Sequence, residues 1–213
     1  MDGKVSDVDM ARPYTAVCPT LDGDVLRVLA GTSRGLTGRE VAAMTGRRSH
    51  SGGLDVLHRL TKHGLVTRVE LNRAYLFALN RQHVAVRAVE LLMGLRGELF
   101  EDIRDAMDMW QIPPVHASVF GSAARGDGDV DSDIDLLIVR PPQIAHDEPR
   151  WQTQMDGLRK LIEGWTGNQA AIVDRSQKEL TELQEQQRPI IAELLSDAIA
   201  VNGPDIATLL EPS

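Results

Sequence analysis

Cysteine is almost missing from this chain: Cys18 is the only one among 213 residues. A single thiol excludes an internal disulfide framework and points to a reducing, cytoplasmic setting. Long apolar runs are missing too, since none approaches the ~20 residues that span a bilayer, so no membrane partner is expected. The first ten residues, Met1 to Met10, are acidic and lack the apolar core of a secretory signal. They read as the start of a disordered leader over residues 1–20. Internal repeats and low-complexity segments are also missing. What remains is an ordinary soluble composition, 42% hydrophobic and 25% charged, long enough for one large domain or two small ones.

A net charge of −8 argues against nucleic acid until its distribution is considered. Between Leu21 and His83 there are 10 Lys/Arg against 5 Asp/Glu, leaving 13 against 26 elsewhere. A basic front and an acidic back imply two modules with different partners.

In the front, Leu21, Val25, Leu26 and Leu29 share one helical face, closed by Gly31. Thr37 to Glu40 spells a capping box, followed by a short apolar stripe of Val41, Ala42 and Met44 that Gly46 ends. A third helix is expected over about Ser49 to His63, with Leu54, Leu57 and Leu60 inward and Gly64 as its cap. Two β-rich runs, Leu65 to Leu71 and Ala74 to Leu79, flank an Asn72-Arg73 turn. Three helices and a hairpin give the order of a winged helix-turn-helix over residues 21–82. A linker helix is expected over 83–97, then a second domain over 98–213.

In the back, helices are expected over Glu98 to Trp110, Trp151 to Trp165 and Leu180 to Ile199. Strands are expected over Val115 to Phe120, Asp133 to Val139 and Gln169 to Val173. This alternation implies an α+β domain built on a small mixed sheet flanked by helices. The three tryptophans, Trp110, Trp151 and Trp165, read as core or interface residues.

The chemistry concentrates in Val119 to Gly126 and Ser132 to Val139. Gly121 and Ser122 fall where a strand turns into a helix, so backbone can approach a ligand and free N–H groups suit a phosphate. Ser122 and Ser132 add hydroxyls, and Arg125 a guanidinium matched to phosphate oxygens. Asp133 and Asp135 are two apart on a strand and point to one face. Adjacent carboxylates repel unless a cation lies between them, and magnesium takes one or two carboxylates together with substrate phosphates. The run Asp127, Asp129, Asp131 reads as a solvated loop that lacks the glutamate of a calcium loop. His58 and His63 have no companion ligands and read as partly exposed helix residues.

Gly-Ser, then Ala-Arg-Gly, then Ser-Asp-Ile-Asp-Leu resembles the signature of minimal nucleotidyltransferases in the DNA polymerase β superfamily. The resemblance covers about Glu98 to Leu210. It implies that Gly121 and Ser122 hold a triphosphate, ATP being the nucleotide expected, and that Asp133 and Asp135 are catalytic and bind Mg2+. It also implies transfer of NMP from an NTP to a protein or nucleic-acid acceptor, with release of pyrophosphate. Such enzymes carry a third carboxylate on a later strand, and the aligned position here is Ala171. Asp174 lies three residues on, which puts it on the opposite face.

For the front module, the start of the third helix offers Arg47, Arg48, Ser49 and His50 to a major groove, with Arg59 and Lys62 further along and Arg73 on the wing. Double-stranded DNA is the expected partner. Two functions follow: a DNA-binding nucleotidyltransferase, or a DNA-binding regulator or antitoxin whose transferase domain senses nucleotide without turnover. The resemblance brings a small helical protein partner of toxin–antitoxin type into view for the second, and a homodimer is compatible with both.

Overall fold

The computed structural model describes residues 7–46 and 50–211, with His50 as backbone only. They divide into two compact units, one within residues 13–95 and the other formed by residues 7–12 with 96–211.

In the first unit, α1 (Leu21–Ala30) ends at Gly31, as its periodicity predicts. β1 (Leu36–Thr37) leads into α2 (Gly38–Met44), and the capping box is present. The Thr37 hydroxyl accepts from the Glu40 N–H at 3.2 Å, and Glu40 Oε2 accepts from the Thr37 N–H at 2.7 Å. α3 (His50–Lys62) stops at Gly64, whose φ of +79° is left-handed. β2 (Val66–Leu71) and β3 (Ala74–Leu79) form the expected hairpin. Asn72 and Arg73 both adopt positive φ, +50° and +66°, which matches the twist of a two-residue turn to that of the strands. The sheet order is β1-β3-β2, antiparallel throughout. Val25, Leu29, Leu36, Val41, Leu57, Leu60 and Phe77 form the core. Met44 departs from the expected stripe and is exposed, because α2 has only seven residues and ends there.

The helices expected over 83–97 and from Glu98 are one, α4 (Val86–Asp108). Gly94 and Gly97 cost about 1 kcal/mol each in a helix interior, less than the flanking apolar residues gain by packing. Val86 and Val89 join the core of the first unit; Leu99, Phe100, Ile103 and Met107 join that of the second.

The second unit is built on a four-stranded mixed sheet of order β6-β5-β4-β7: β4 (His116–Phe120), β5 (Ile134–Arg140), β6 (Ala170–Ser176) and β7 (Ile199–Asn202). β4 is antiparallel to β5 and β7, and β5 is parallel to β6. Between β4 and β5 lies the single turn α5 (Gly121–Arg125), and α6 (Pro149–Thr166) crosses over to β6. One face of the sheet packs on α4 and α6 through Val119, Leu136, Ile138, Trp151 and Met155. The other packs Phe120, Leu137 and Val139 on α7 (Gln177–Glu185), α8 (Pro189–Asp197) and α9 (Ile206–Leu209). Leu180 to Ile199 is therefore not one helix. Pro189 has no N–H and disfavours helical backbone before it, so the chain breaks there, with Gln187 at φ +51°.

The leader expected over residues 1–20 differs as well. The Val8 N–H donates to Asn168 Oδ1 at 3.0 Å, Met10 is buried, and Pro13–Ala16 is a 3-10 turn. Tyr14 is buried and its hydroxyl donates to buried Asp24 at 2.8 Å. Trp151 is a core residue with Trp110 edge-on at 5.5 Å, whereas Trp165 is 42% exposed. No described helix is long and apolar enough to cross a membrane.

Candidate active site

Two strand ends build the site. Phe120 and Asp135 are register partners across β4 and β5, so the turn that follows β4 rises directly beside the acidic start of β5. Gly121 takes φ +66°, and a β-carbon there would stand 2.6 Å from Asp135 Oδ2. Only a residue without a side chain fits at that backbone angle and that distance. The two halves of the motif thus meet: the Gly121-Ser122 turn lies against the Asp135 carboxylate.

Strand alternation places Asp135 on the face of Leu137 and Val139, towards α8. Asp133 is exposed just ahead of the strand, and Asp135 is half-buried. Burial pushes the Asp135 carboxyl above its ordinary range, the Asp133 charge adds to this and then Glu193, while Arg125 opposes them. A carboxylate destabilised in this way is poised for a cation. Glu193, on α8, is hidden from a sequence reading that runs one helix through Pro189, because such a helix does not show which face of Pro189–Asp197 turns to the site.

Arg125 stands beside the turn but is engaged: its Nε donates to Asp127 at 3.0 Å and its Nη1 to Asp197. Phosphate oxygens would have to replace those carboxylates. Ser132 is engaged as well, donating to Asp129 Oδ1 at 2.8 Å and accepting from the Asp129 N–H at 2.9 Å. Its hydroxyl closes the acidic loop, whose Asp127, Asp129 and Asp131 are all exposed, as expected of a solvated turn. Asn168 fixes the loop from below by donating to the Ser132 carbonyl at 3.0 Å.

On β6, the partner of Asp135 is Ala171. Asp174 lies on the far face and is buried among structural partners: Arg140 Nη1 at 3.0 Å, Trp151 Nε1 at 3.0 Å and His146 Nδ1 at 2.8 Å. Among the described residues no three His, Cys, Asp or Glu side chains gather closely enough to hold a metal ion. A magnesium ion held by Asp133 and Asp135 would need phosphate and water to complete its coordination, which is within its ordinary habits.

In the first unit, Arg59 and Lys62 are exposed on α3, Arg59 paired with Asp22, and Arg73 is exposed at the hairpin turn. Arg47, Arg48 and Ser49, and the side chain of His50, lie outside the described residues. His58 and His63, expected to be partly exposed on the helix, are exposed, His63 just beyond the end of α3.

A search of curated proteins finds no match. Among solved structures, a crystal structure described as a predicted DNA-binding transcriptional regulator from E. coli is 20% identical. It covers 40% of this chain and 81% of its own, with a TM-score of 0.31. The family model of the nucleotidyltransferase domain matches residues 101–193, the stretch that holds β4, the Gly121 turn, β5 and β6.

Proposed function

We propose that this protein binds a nucleoside triphosphate with magnesium at the Gly121-Ser122 turn and the Asp133/Asp135 pair, and that its first unit binds duplex DNA. The observation that carries the nucleotide reading is the seating of the Asp135 carboxylate against Gly121, at the start of α5, where the first N–H groups of a helix have no partner within it. Magnesium, when bound, supplies neutralising charge to the triphosphate. The chain would supply Asp133 and Asp135 as its ligands, Gly121 as the surface a phosphate can approach, and Ser122 as a hydroxyl donor. Arg125 and Ser132 would join by releasing their carboxylate partners. Titration calorimetry with ATP and magnesium tests this. The parent should bind, and Asp133→Asn with Asp135→Asn should remove binding while circular dichroism stays unchanged; equal affinity in the double variant refutes the site.

Two functional readings share that site. An enzyme would move NMP to a protein or nucleic-acid acceptor. A regulator or antitoxin would sense the nucleotide without turnover, beside a small helical protein partner. The pairing of Asp135 with Ala171 favours the second, since a transferase that uses two metal ions needs carboxylates enough for both.

The DNA reading is supported by the +5 balance of residues 21–83 and by the order of α1 to α3 and the β2–β3 hairpin. Arg47, Arg48, Ser49, His50, Arg59, Lys62 and Arg73 are its proposed contacts, in a cytoplasmic protein. Duplex affinity should fall steeply with salt, and Arg47→Ala with Arg48→Ala should flatten the log–log slope by about one for each phosphate the arginines neutralise. Affinity that ignores both changes would leave protein docking as the role of this unit.

A further inference from the structure

β2 has β3 on one side and no described strand on the other. Long uncovered edges invite another strand, and proteins ordinarily blunt them with charged side chains, proline, bulges or brevity. The charges of β2, Arg68 and Glu70, are opposite in sign and so oppose a second copy only in some registers. β2 is six residues long, carries no proline and pairs with β3 without a register shift. Val69 and Leu71 on it are 61% and 54% exposed.

The hairpin fixes which backbone groups face outward. Leu71 and Ala74 close a two-residue turn, so they exchange hydrogen bonds, and bonded and unbonded pairs alternate from there. Leu71, Val69 and Thr67 thus bond to β3. Arg68 and Glu70 direct their N–H and C=O groups to the open edge. Val66 alternates with them but is buried, so the exposed outward groups a second strand meets are those of Arg68 and Glu70.

Charge then selects one register. In an antiparallel pair of identical strands centred on Arg68, two arginines stand opposite each other; centred on Glu70, two glutamates do. Centred on Val69, Arg68 faces Glu70 of the other copy twice over, both pairs using the outward groups. Val69 meets Val69 between them, and Thr67 meets Leu71. Opposite charges on facing strands stabilise and like charges oppose. Arg68 is already held on this face, its guanidinium 4.4 Å from the centre of the Tyr75 ring.

We infer that β2 is a self-association edge: two copies of this chain pair their β2 strands antiparallel about a two-fold axis at Val69. The face is isologous, as closed dimers require, and joins two three-stranded sheets into one of six. This inference stands apart from the nucleotide site.

Sedimentation equilibrium on the full chain tests it through a charge swap. The parent should dimerise. Arg68→Glu and Glu70→Arg should each raise the dimer dissociation constant roughly tenfold, by turning two attractive pairs into two repulsive ones. The double variant Arg68→Glu with Glu70→Arg should return to parental affinity, which a merely structural role for either residue would not produce. Should a charge reversal unfold the hairpin, Arg68→Gln and Glu70→Gln give a milder version of the same series.

A cross-link gives an independent readout. Unbonded antiparallel pairs have Cα atoms about 4.5 Å apart, within disulfide reach. Val69→Cys in a Cys18→Ser background should therefore form a disulfide between copies under mild oxidation, and Leu71→Cys, which faces Thr67, should not. A monomeric parent overturns the inference, as does a dimer indifferent to both charge reversals or one in which Leu71→Cys links as readily as Val69→Cys.

Discussion

Asp135 Oδ2 lies 2.6 Å from the point where a β-carbon on Gly121 would stand, and Gly121 is at φ +66°. A side chain at 121 meets two costs at once, a left-handed backbone and a displaced carboxylate. Gly121→Ala should destabilise the protein by about 1–3 kcal/mol and abolish nucleotide binding. Combining it with Asp135→Ala removes the clash but not the backbone cost. Denaturant unfolding of the four proteins should show the double variant more stable than the sum of the singles; strict additivity would mean that the close approach costs nothing.

The same carboxylate gives a pH prediction. Asp135 is pushed up by burial, then by Asp133 and Glu193, so its folded value exceeds its unfolded one. The folded state keeps that proton longer, and stability falls as pH rises from the unfolded value to the raised folded one. Above that window the charge is a standing cost. Asp135→Asn should melt higher than the parent at neutral pH without metal, and the advantage should vanish in acid. A variant that melts lower at neutral pH would contradict the electrostatic account.

His116 gives the opposite sign. It is fully buried in β4, bonded through Nδ1 to the Pro204 carbonyl at 2.6 Å, and Nε2 has no partner. Burial pushes its pKa below the ordinary 6.5. The neutral ring supports the fold above the unfolded value, and that support is lost as pH falls through the depressed folded value. Parent stability should decline as the medium is acidified below about 6.5, and His116→Gln should show a flatter profile. Equal slopes in the two proteins would place the titration elsewhere.

Local signals were the legible ones. Gly31, the Thr37 capping box and the Asn72-Arg73 turn each set a boundary through a hydrogen bond or backbone angle within a few residues. So did strand alternation, which separated Ala171 from Asp174; Asp133, expected on the strand with Asp135, lies one residue ahead of it. Contacts between distant parts of the chain were not legible. Val8 is ordered by Asn168, 160 residues away. β7 exists because β4 needs a partner on its free edge, and its four residues carry no pattern of their own. Glu193 and Asp197 join the site only because Pro189 redirects α8.

Asp174 should behave as a structural residue. It carries a buried negative charge satisfied by Arg140, Trp151 and His146. Removing one partner of a buried ion pair costs about 3–5 kcal/mol, discounted here because Glu179 also pairs with Arg140 at 2.5 Å. Asp174→Asn should lower stability by about 2–3 kcal/mol on that reasoning and leave nucleotide affinity of the folded protein unchanged. A loss of affinity at full stability would return Asp174 to the site.

Ala171 decides between the two functional readings. It is the register partner of Asp135 on a parallel strand, so both side chains project from the same face of the sheet. A carboxylate there would stand beside Asp135, on the side away from Phe120, where the sheet has room for it because Ala171 is only partly buried. On the proposed reading Asp133 and Asp135 alone would hold one ion against a triphosphate, but the attacking hydroxyl would lack the group that activates it. The parent should therefore bind ATP with magnesium and transfer NMP slowly or not at all. Ala171→Asp should raise magnesium-dependent transfer, read as labelled NMP on acceptor in a lysate, and should also tighten magnesium binding in calorimetry. Tighter metal binding without transfer would mean that the acceptor site is missing as well, and the sensor reading would stand. Fast transfer by the parent would show that two carboxylates suffice, and Ala171 would lose its significance.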